Sequence, residues 1–155
     1  MESATNISKA VRWSARAGAM VGIGTMAAVD EIVFHQILAW HHFYDGATEA
    51  IGLLADGFLH AFELILLVAG FFIMLDLRRK NCFLPKIAWA SACLGAGGFQ
   101  LFDGLINHKV LRLHQIRYVS NVLPYDIAWN MAGLLLLGVG ILLYRRYTKE
   151  IYSAR

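Results

Sequence analysis

Four long apolar stretches constrain the fold of this chain more than any other feature. They cover about residues 17–40, 50–75, 85–107 and 124–144, each near the ~20 residues that cross a bilayer. Of the 155 residues, 58% are hydrophobic and only 16% are charged, which is rare in a soluble domain. The first stretch carries Asp30 and Glu31 and no cleavage pattern follows it, so it does not read as a signal peptide. The sequence predicts an all-α integral membrane protein with a single membrane domain over residues 1–155.

The basic residues indicate how the chain is oriented in the membrane. The net charge is +3, and the segment 42–49 contains neither lysine nor arginine. Basic residues instead precede the first stretch, separate the second from the third and follow the fourth: Lys9, Arg12, Arg16, Arg78, Arg79, Lys80, Lys86, Arg145, Arg146, Lys149 and Arg155. Lys109, Arg112 and Arg117 weaken this bias without reversing it, and the positive-inside rule places both termini in the cytoplasm. No basic groove with interleaved aromatic residues remains, which argues against a nucleic-acid partner.

A polar motif occurs twice, each time at the exit of an apolar stretch. Its pattern, D-x-x-x-x-H-x-x-L-x-x-H, begins at Asp30 and again at Asp103. Carboxylates and imidazoles are costly in or near hydrocarbon, so their presence needs a cause. Because the pattern is repeated, chance is a poor explanation, and we predict a polar site held inside the membrane protein.

The motif belongs to a longer internal duplication. At an offset of 73 residues, two glycines, the aspartate, the leucine and both histidines recur: Gly22, Gly24, Asp30, His35, Leu38 and His41 match Gly95, Gly97, Asp103, His108, Leu111 and His114. At an offset of 70, Asp56, Leu64, Leu66, Leu67 and Gly70 match Asp126, Leu134, Leu136, Leu137 and Gly140. Each half, about 17–80 and about 85–147, is then a two-span hairpin in the same orientation. This predicts a four-helix transmembrane bundle from two tandem repeats, related by a pseudo-two-fold axis along the membrane normal.

The polar residues of all four stretches converge in the outer leaflet of the membrane. Counted at 1.5 Å per residue from the cytoplasmic basic residues, they lie about 21–33 Å up, near the exoplasmic surface. Asp30 and His35 differ by about 140° on an ideal helix, so a straight helix cannot present both on one face. Either the helix is distorted, or the aspartate and the histidine make different contacts.

Carboxylates and imidazoles are ligands for non-haem iron, copper, manganese and zinc. The predicted metal ligands come from both halves of the chain: His35, His108, His60, Asp30, Asp103, Asp56, Asp126, His41 and His114. Asp30 and Asp103 are alternatively acceptors that orient an imidazole without binding the metal. Asp56, His60 and Glu63 share one helical face. Glu31, His42, His60 and Glu63 have no ionisable counterpart in the second half, so we predict His60 and Glu63 as catalytic acid–base groups.

The same polar residues also have interpretations that need no metal. Polar residues within spans also form interhelical hydrogen bonds or conduct protons without a metal. Arg112 or Arg117 pairing with an aspartate is a further structural alternative. The aromatic residues, Trp40 and Trp129 among them, fit an interfacial belt better than a pocket lining. Carboxylates in the cluster favour a non-haem ion over bis-histidine haem.

The chain resembles a prokaryotic membrane family called domain of unknown function 2243. The resemblance covers about residues 17–145 and depends on residues 30–42, 56–60 and 102–108, with Tyr125 and Asp126. Glu31 departs from the glycine expected at its position. The resemblance implies a multi-span protein of a prokaryotic cytoplasmic (inner) membrane and implies no activity.

From the site we predict a membrane metalloprotein with an Asp/His-ligated iron or copper centre, favoured over zinc, that oxidises or reduces a small or lipophilic substrate. A transition-metal transport or delivery protein is the first alternative, and a proton or small-solute conduit without metal is the second. The lipid bilayer is the expected surrounding, while a redox partner and a homo-oligomer stay open.

Overall fold

The computed structural model describes residues 2–153, with side chains from residue 5 onward, and none of these residues lies in a β-strand. Six helical elements follow one another: α1 (Glu2–Val29), π1 (Asp30–Ile37), α2 (Glu49–Arg79), α3 (Pro85–Phe102), π2 (Asp103–Leu111) and α4 (Leu123–Ser153). Since π1 continues α1 and π2 continues α3, they form four long helices. The all-α prediction is confirmed.

Three of the four helices are long and apolar enough to cross a membrane: Thr5–Ile37, Glu49–Arg79 and Leu123–Ser153. The third helix, α3 with π2, is not among them, because polar and small residues such as Lys86 and Gln100 lower its hydropathy. Seven of its positions up to Gln100 are buried, and Ile87 and Ala90 are fully covered by neighbouring residues.

The helices are longer than the predicted stretches. α1 begins at Glu2 and α4 ends at Ser153, well outside the limits of 17 and 144. The apolar pattern marks only the part that suits hydrocarbon, whereas a helix satisfies its own backbone hydrogen bonds in water as well. Pro85 in the first turn fixes the start of α3, where its missing N–H costs nothing.

The two glycine-rich helices α1 and α3 form the centre of the bundle, with α2 packed on α1 and α4 packed on α3. A side chain at Gly22 would overlap the backbone of Ala92, and one at Gly95 would overlap that of Ala19. Small residues therefore allow the two central helices to approach closely, as in other membrane proteins.

Both motif segments are π-helices. In a π-helix each N–H bonds to the carbonyl five residues earlier, which brings residues i and i+5 onto nearly one face. The D-x-x-x-x-H spacing is i, i+5, so Asp30 and His35 in π1, and Asp103 and His108 in π2, point the same way. The sequence leaves two alternatives: a distorted helix, or different contacts for the aspartate and the histidine. The structure has the distorted helix at both motifs.

Two loops close the end of the bundle beyond the π-helices. Residues 38–48 follow π1 and residues 112–122 follow π2. Each loop has a left-handed residue within its first two positions, Ala39 with φ 47° and Arg112 with φ 54°. The backbone N–H of Asp45 bonds to the carbonyl of Leu113 at 3.0 Å, which ties the loops together. The last histidine of each motif lies in one of these loops.

Candidate metal centre

The second motif forms the tightest group of donor atoms. Nε2 of His108 lies 3.0 Å from Oδ2 of Asp103 and 2.9 Å from Nε2 of His114. Nε2 of His114 lies 3.6 Å from the other oxygen of Asp103. All three residues are at most 1% exposed. They make a set of two histidines and one carboxylate, the donor set typical of non-haem iron sites.

The first motif places its donors beside this group. His35, His41 and His114 present ring nitrogens that all lie within 4.8 Å of one another. Oδ2 of Asp30 is 3.9 Å from Nε2 of His35, too far for a hydrogen bond. The rings of His41 and His114 are stacked, with centroids 4.5 Å apart and planes 6° from parallel. The two motifs therefore meet in one buried cluster.

Each loop histidine is held by the opposite loop. Nδ1 of His41 donates to the carbonyl of Ile116, and Nδ1 of His114 donates to that of Phe43, both at 2.9 Å. A neutral imidazole whose Nδ1 carries the hydrogen has its lone pair on Nε2. These bonds therefore leave the lone pair on Nε2 of both rings available to a cation, the arrangement seen in metal-ligating histidines.

Both loop histidines are neutral near pH 7. Burial and, second, the imidazole of His114 lower the pKa of His41 to about 2. Burial also lowers the pKa of His114 to about 4, against the opposing effect of the Asp103 carboxylate. Protons therefore compete weakly with a cation for these two rings.

The ring of His35 is oriented by two carboxylates. Its Nδ1 lies 2.9 Å from Oε2 of Glu31 and 3.1 Å from Oδ1 of Asp56. Asp56 also accepts from the backbone N–H of Phe43 at 2.7 Å and from Nδ1 of His42 at 2.7 Å. Because these acceptors hold the hydrogen on Nδ1, Nε2 of His35 also turns its lone pair toward the cluster. Asp56, which the sequence predicts to be a metal ligand, orients an imidazole here.

Several buried polar atoms of the cluster have no hydrogen-bond partner within the described part of the chain: Oδ2 of Asp30, Nε2 of His35 and Nε2 of His41. Leaving a buried polar atom unsatisfied costs about 1–3 kcal/mol. Three such atoms beside one another, two of them imidazole nitrogens with free lone pairs, fit a bound transition-metal ion.

The remaining predicted residues lie outside the imidazole cluster. His60 is half-exposed on α2 and bonds to Glu63, with Nδ1 2.6 Å from Oε1. Glu63 is 1% exposed, and its second oxygen has no partner among the described residues. Asp126 pairs with Lys109 at 2.6 Å. The structure therefore brings Asp30, Asp103 and four histidines together and places His60, Glu63 and Asp126 at the side.

Some contacts were not anticipated from the sequence. His42 and Glu31 join the site through Asp56 and His35, and Asn107 donates to Asp103 at 3.0 Å. The i, i+4 spacing of Glu31 to His35 and of Asp103 to Asn107 is the signal that could have found the last two. His42 carries no comparable signal, since its partner is 14 residues away.

The structure also bears on two structural alternatives, an arginine–aspartate ion pair and an interfacial belt of aromatic residues. Lys109, not an arginine, pairs with Asp126, while Arg117 lies 4.6 Å over the ring of Trp40. Trp129 is only 7% exposed and packs edge-on against Phe34, with centroids 5.2 Å apart. The belt interpretation is therefore wrong for Trp129, which fills the interior.

Comparison with known proteins gives one result. A family model described as a predicted membrane protein, DUF2243, matches residues 17–147. Neither the curated proteins nor the solved structures include a match to the chain.

Proposed function

The chain belongs to the DUF2243 family of predicted membrane proteins, and from that premise we propose that it is an integral membrane metalloprotein with a buried transition-metal centre. The ligands are His35, His41, His108, His114, Asp30 and Asp103. One observation carries the proposal: three of the histidines have Nδ1 bonded outward to fixed acceptors, so that their Nε2 lone pairs point into one enclosure.

The proposed architecture is a four-span bundle of two tandem repeats related by a pseudo-two-fold axis along the membrane normal. Contacts that recur at an offset of 73 support it. The two π-helices, the left-handed Ala39 and Arg112, and the two reciprocal loop bonds all obey this offset. The central glycine contacts do too, since Gly22 meets Ala92 as Gly95 meets Ala19.

The proposed location is a prokaryotic inner membrane, with both termini in the cytoplasm and the centre near the exoplasmic face. The charges support this orientation. Arg78, Arg79 and Lys80 end α2 and Lys86 begins α3, all at the end of the bundle opposite the cluster. Lysine and arginine concentrate on the cytoplasmic side of membrane proteins.

Iron or copper, rather than zinc or haem, is the proposed metal, and oxidation or reduction of a lipophilic substrate is the proposed reaction class. Imidazole and carboxylate donors suit iron and copper, which supply the redox chemistry when bound. A cleft of about 310 Å³ supports the substrate class. It is lined by Phe43, Phe58, Leu59, Phe62, Phe99, Phe102 and Asn107.

This cleft reaches the edge of the proposed centre. Asn107 lies at its inner end and donates to Asp103, and the ring of Phe43 lies 6.1 Å from that of His114. Phe58 and Phe102 are 68% and 53% exposed, so the outer end opens where hydrocarbon would lie. His60 and Glu63 lie on the same turns of α2, and we assign them proton transfer to or from the substrate.

Elemental analysis of the detergent-purified full chain tests the metal. We expect iron or copper in the wild type and a large loss of it in His114→Ala, whereas Asp76→Asn, at the opposite end of α2, retains it. A wild-type chain that stays metal-free after incubation with Fe²⁺, Cu²⁺, Mn²⁺ and Zn²⁺ would overturn the proposal. Metal that is present but shows no reversible redox step would overturn the reaction class alone.

A further inference from the structure

We infer that the centre holds two metal ions, one for each D-x-x-x-x-H-x-x-L-x-x-H motif. The inference rests on the proposed function and concerns how many ions the cluster takes. The first ion position has Asp103, His108 and His114 as its donors. The second has His35 and His41, with Asp30 beside His35.

Three groups of donor atoms lie close enough together to hold an ion, and two of them share His114. Those two are Asp103, His108 and His114, and His35, His41 and His114. The third, Glu31, His35 and Asp56, meets at Nδ1 of His35, which carries the hydrogen. No group among the described residues contains His35 together with His108. Nitrogen and oxygen ligands lie about 2.0–2.2 Å from a transition metal, so two ligands of one ion are at most about 4.4 Å apart. A single ion therefore cannot be bound by both of the groups that share His114 as they stand.

The shared histidine can serve only one ion. Its Nδ1 donates to the carbonyl of Phe43, which leaves a single lone pair on Nε2. That nitrogen is 2.9 Å from His108 and 3.6 Å from Asp103, so it belongs with the second motif. His35 and His41 then remain as ligands with no ion.

The atoms left over are among the cluster's atoms without hydrogen-bond partners, which also include Oδ2 of Asp103 and Nδ1 of His108. Nε2 of His35, Nε2 of His41 and Oδ2 of Asp30 are unpartnered within the described residues, and each residue is at most 5% exposed. One ion bound by the second motif would leave all three unsatisfied. A second ion satisfies the two imidazole nitrogens, with Oδ2 of Asp30 3.9 Å from Nε2 of His35.

The charge of the region favours two ions for a separate reason. Five carboxylates are at most 2% exposed: Asp30, Glu31, Asp56, Glu63 and Asp103. Among the described side chains, the lysine and arginine ion pairs involve Asp76, Asp126 and Glu150, none of which is in this set. Buried carboxylates need protons, imidazolium partners or cations for compensation, and a second divalent cation adds to that compensation. Known two-ion sites hold their ions about 3.5–4 Å apart.

The stoichiometry of the full chain in detergent, stripped and reloaded with Cu²⁺, tests the inference. We expect two ions per chain in the wild type, one in His35→Ala, one in His108→Ala and none in the double variant. Asp76→Asn is the control and keeps two. One ion in the wild type and none in either single variant would overturn the two-ion inference and leave the proposed centre intact. No ion in the wild type would overturn both.

A spectroscopic measurement on the unaltered chain covers the case in which the alanine variants do not fold. The electron paramagnetic resonance spectrum of the fully Cu²⁺-loaded wild type should show a dipolar-coupled pair. It should change to an uncoupled spectrum at half loading. An uncoupled Cu²⁺ spectrum at full loading would overturn the inference.

Discussion

The two halves of the molecule carry the same ligand motif in different surroundings. In the first half, Nδ1 of His35 meets the carboxylates of Glu31 and Asp56. In the second half, Nδ1 of His108 has no partner within the described chain. The aspartate that matches Asp56 is Asp126, which pairs with Lys109 instead.

The side chains that fill the space near His35 and near His108 differ as well. Where the first half has Glu31, the second has Gly104. A Cβ there would lie 2.6 Å from Oδ1 of Asn130 and 2.7 Å from Cδ1 of Trp129. The indole thus occupies the space that an acidic side chain takes in the first half. Leu59, which matches Trp129, leaves the phenylalanine-lined cleft open.

The comparison separates two contributions to the site. The π-helices and the loops fix where the imidazoles lie, and they are the same in both halves. The neighbouring side chains fix the electrostatic surroundings, and these are acidic in one half and neutral and aromatic in the other. A duplicated motif can therefore keep its ligand geometry while one copy acquires a different chemical role.

Removing Asp56 from the first half and Asp126 from the second should give the largest difference in the free energy of unfolding. Asp56→Ala leaves the N–H groups of Phe43, His35 and His42 without their shared acceptor, in a site where the aspartate is 2% exposed. Breaking such a buried network costs about 3–5 kcal/mol. Asp126→Ala frees a lysine that is 39% exposed and should cost less than about 1 kcal/mol. Unfolding of the metal-free protein in mixed micelles measures both, and equal losses would contradict the comparison.

Adding a methyl group at Gly104 tests whether Trp129 fills the space of the missing glutamate. Gly104→Ala should destabilise the protein by about 1–3 kcal/mol, because the neighbours leave no room. Part of that loss should be recovered in the Trp129→Leu background, measured as a favourable coupling in a double-mutant cycle. Gly98→Ala is the control, since nothing lies within 4 Å of a Cβ there. Additive effects in the cycle would exclude the steric explanation.

Much of the site was predictable from the sequence, because periodicity and repetition are local signals. The helices and the two motifs follow from spacing. The i, i+5 separation of Asp30 and His35 left open the choice between a distorted helix and separate contacts, and the π-helix resolves it. The bond from Asn107 to Asp103 is also local, and its spacing carries the signal.

Contacts between distant segments were not predictable. The bond of His41 to Ile116 joins residues 75 apart and depends on how two loops cross. No composition rule indicates that Trp129 turns inward, because an interfacial and a buried indole look alike in sequence. The α3 segment shows a similar limit, because its composition alone does not indicate that neighbouring helices cover Ile87, Ala88 and Ala90.

The two loop histidines should make the metal-free protein less stable in acid. Both pKa values lie below the ordinary 6.5, at about 2 for His41 and about 4 for His114. Below pH 6.5, these two histidines therefore bind protons in the unfolded chain but stay neutral in the folded chain until the pH approaches the folded-state pKa values. Their contribution to stability is complete above pH 6.5 and is lost as the pH falls toward the folded-state values, by up to about 1.4 kcal/mol per unit for each ring.

Unfolding of the metal-free protein between pH 7.5 and pH 4.5 measures this loss. His41→Gln and His114→Gln should each reduce the slope by a similar amount over this range. Only below about pH 4 should the two variants diverge, because His114 then takes up a proton in the folded state while His41 does not. Slopes unchanged in both variants would assign the acid sensitivity to other groups.

The smallest expected effect on stability comes from replacing Lys109 in the second half with glutamine, the residue at the matching position in the first half. Lys109 occupies the position that Gln36 has in π1, and its ammonium lies 2.6 Å from Asp126. Lys109→Gln removes a partly exposed ion pair, so we expect a loss below about 1 kcal/mol, and smaller still at high salt because salt screens exposed charges. The bound-metal content should not change, since neither residue belongs to the donor groups. A marked loss of metal in Lys109→Gln would mean that Asp126, once released, competes for the ion, and that the lysine is what keeps the second half neutral around His108.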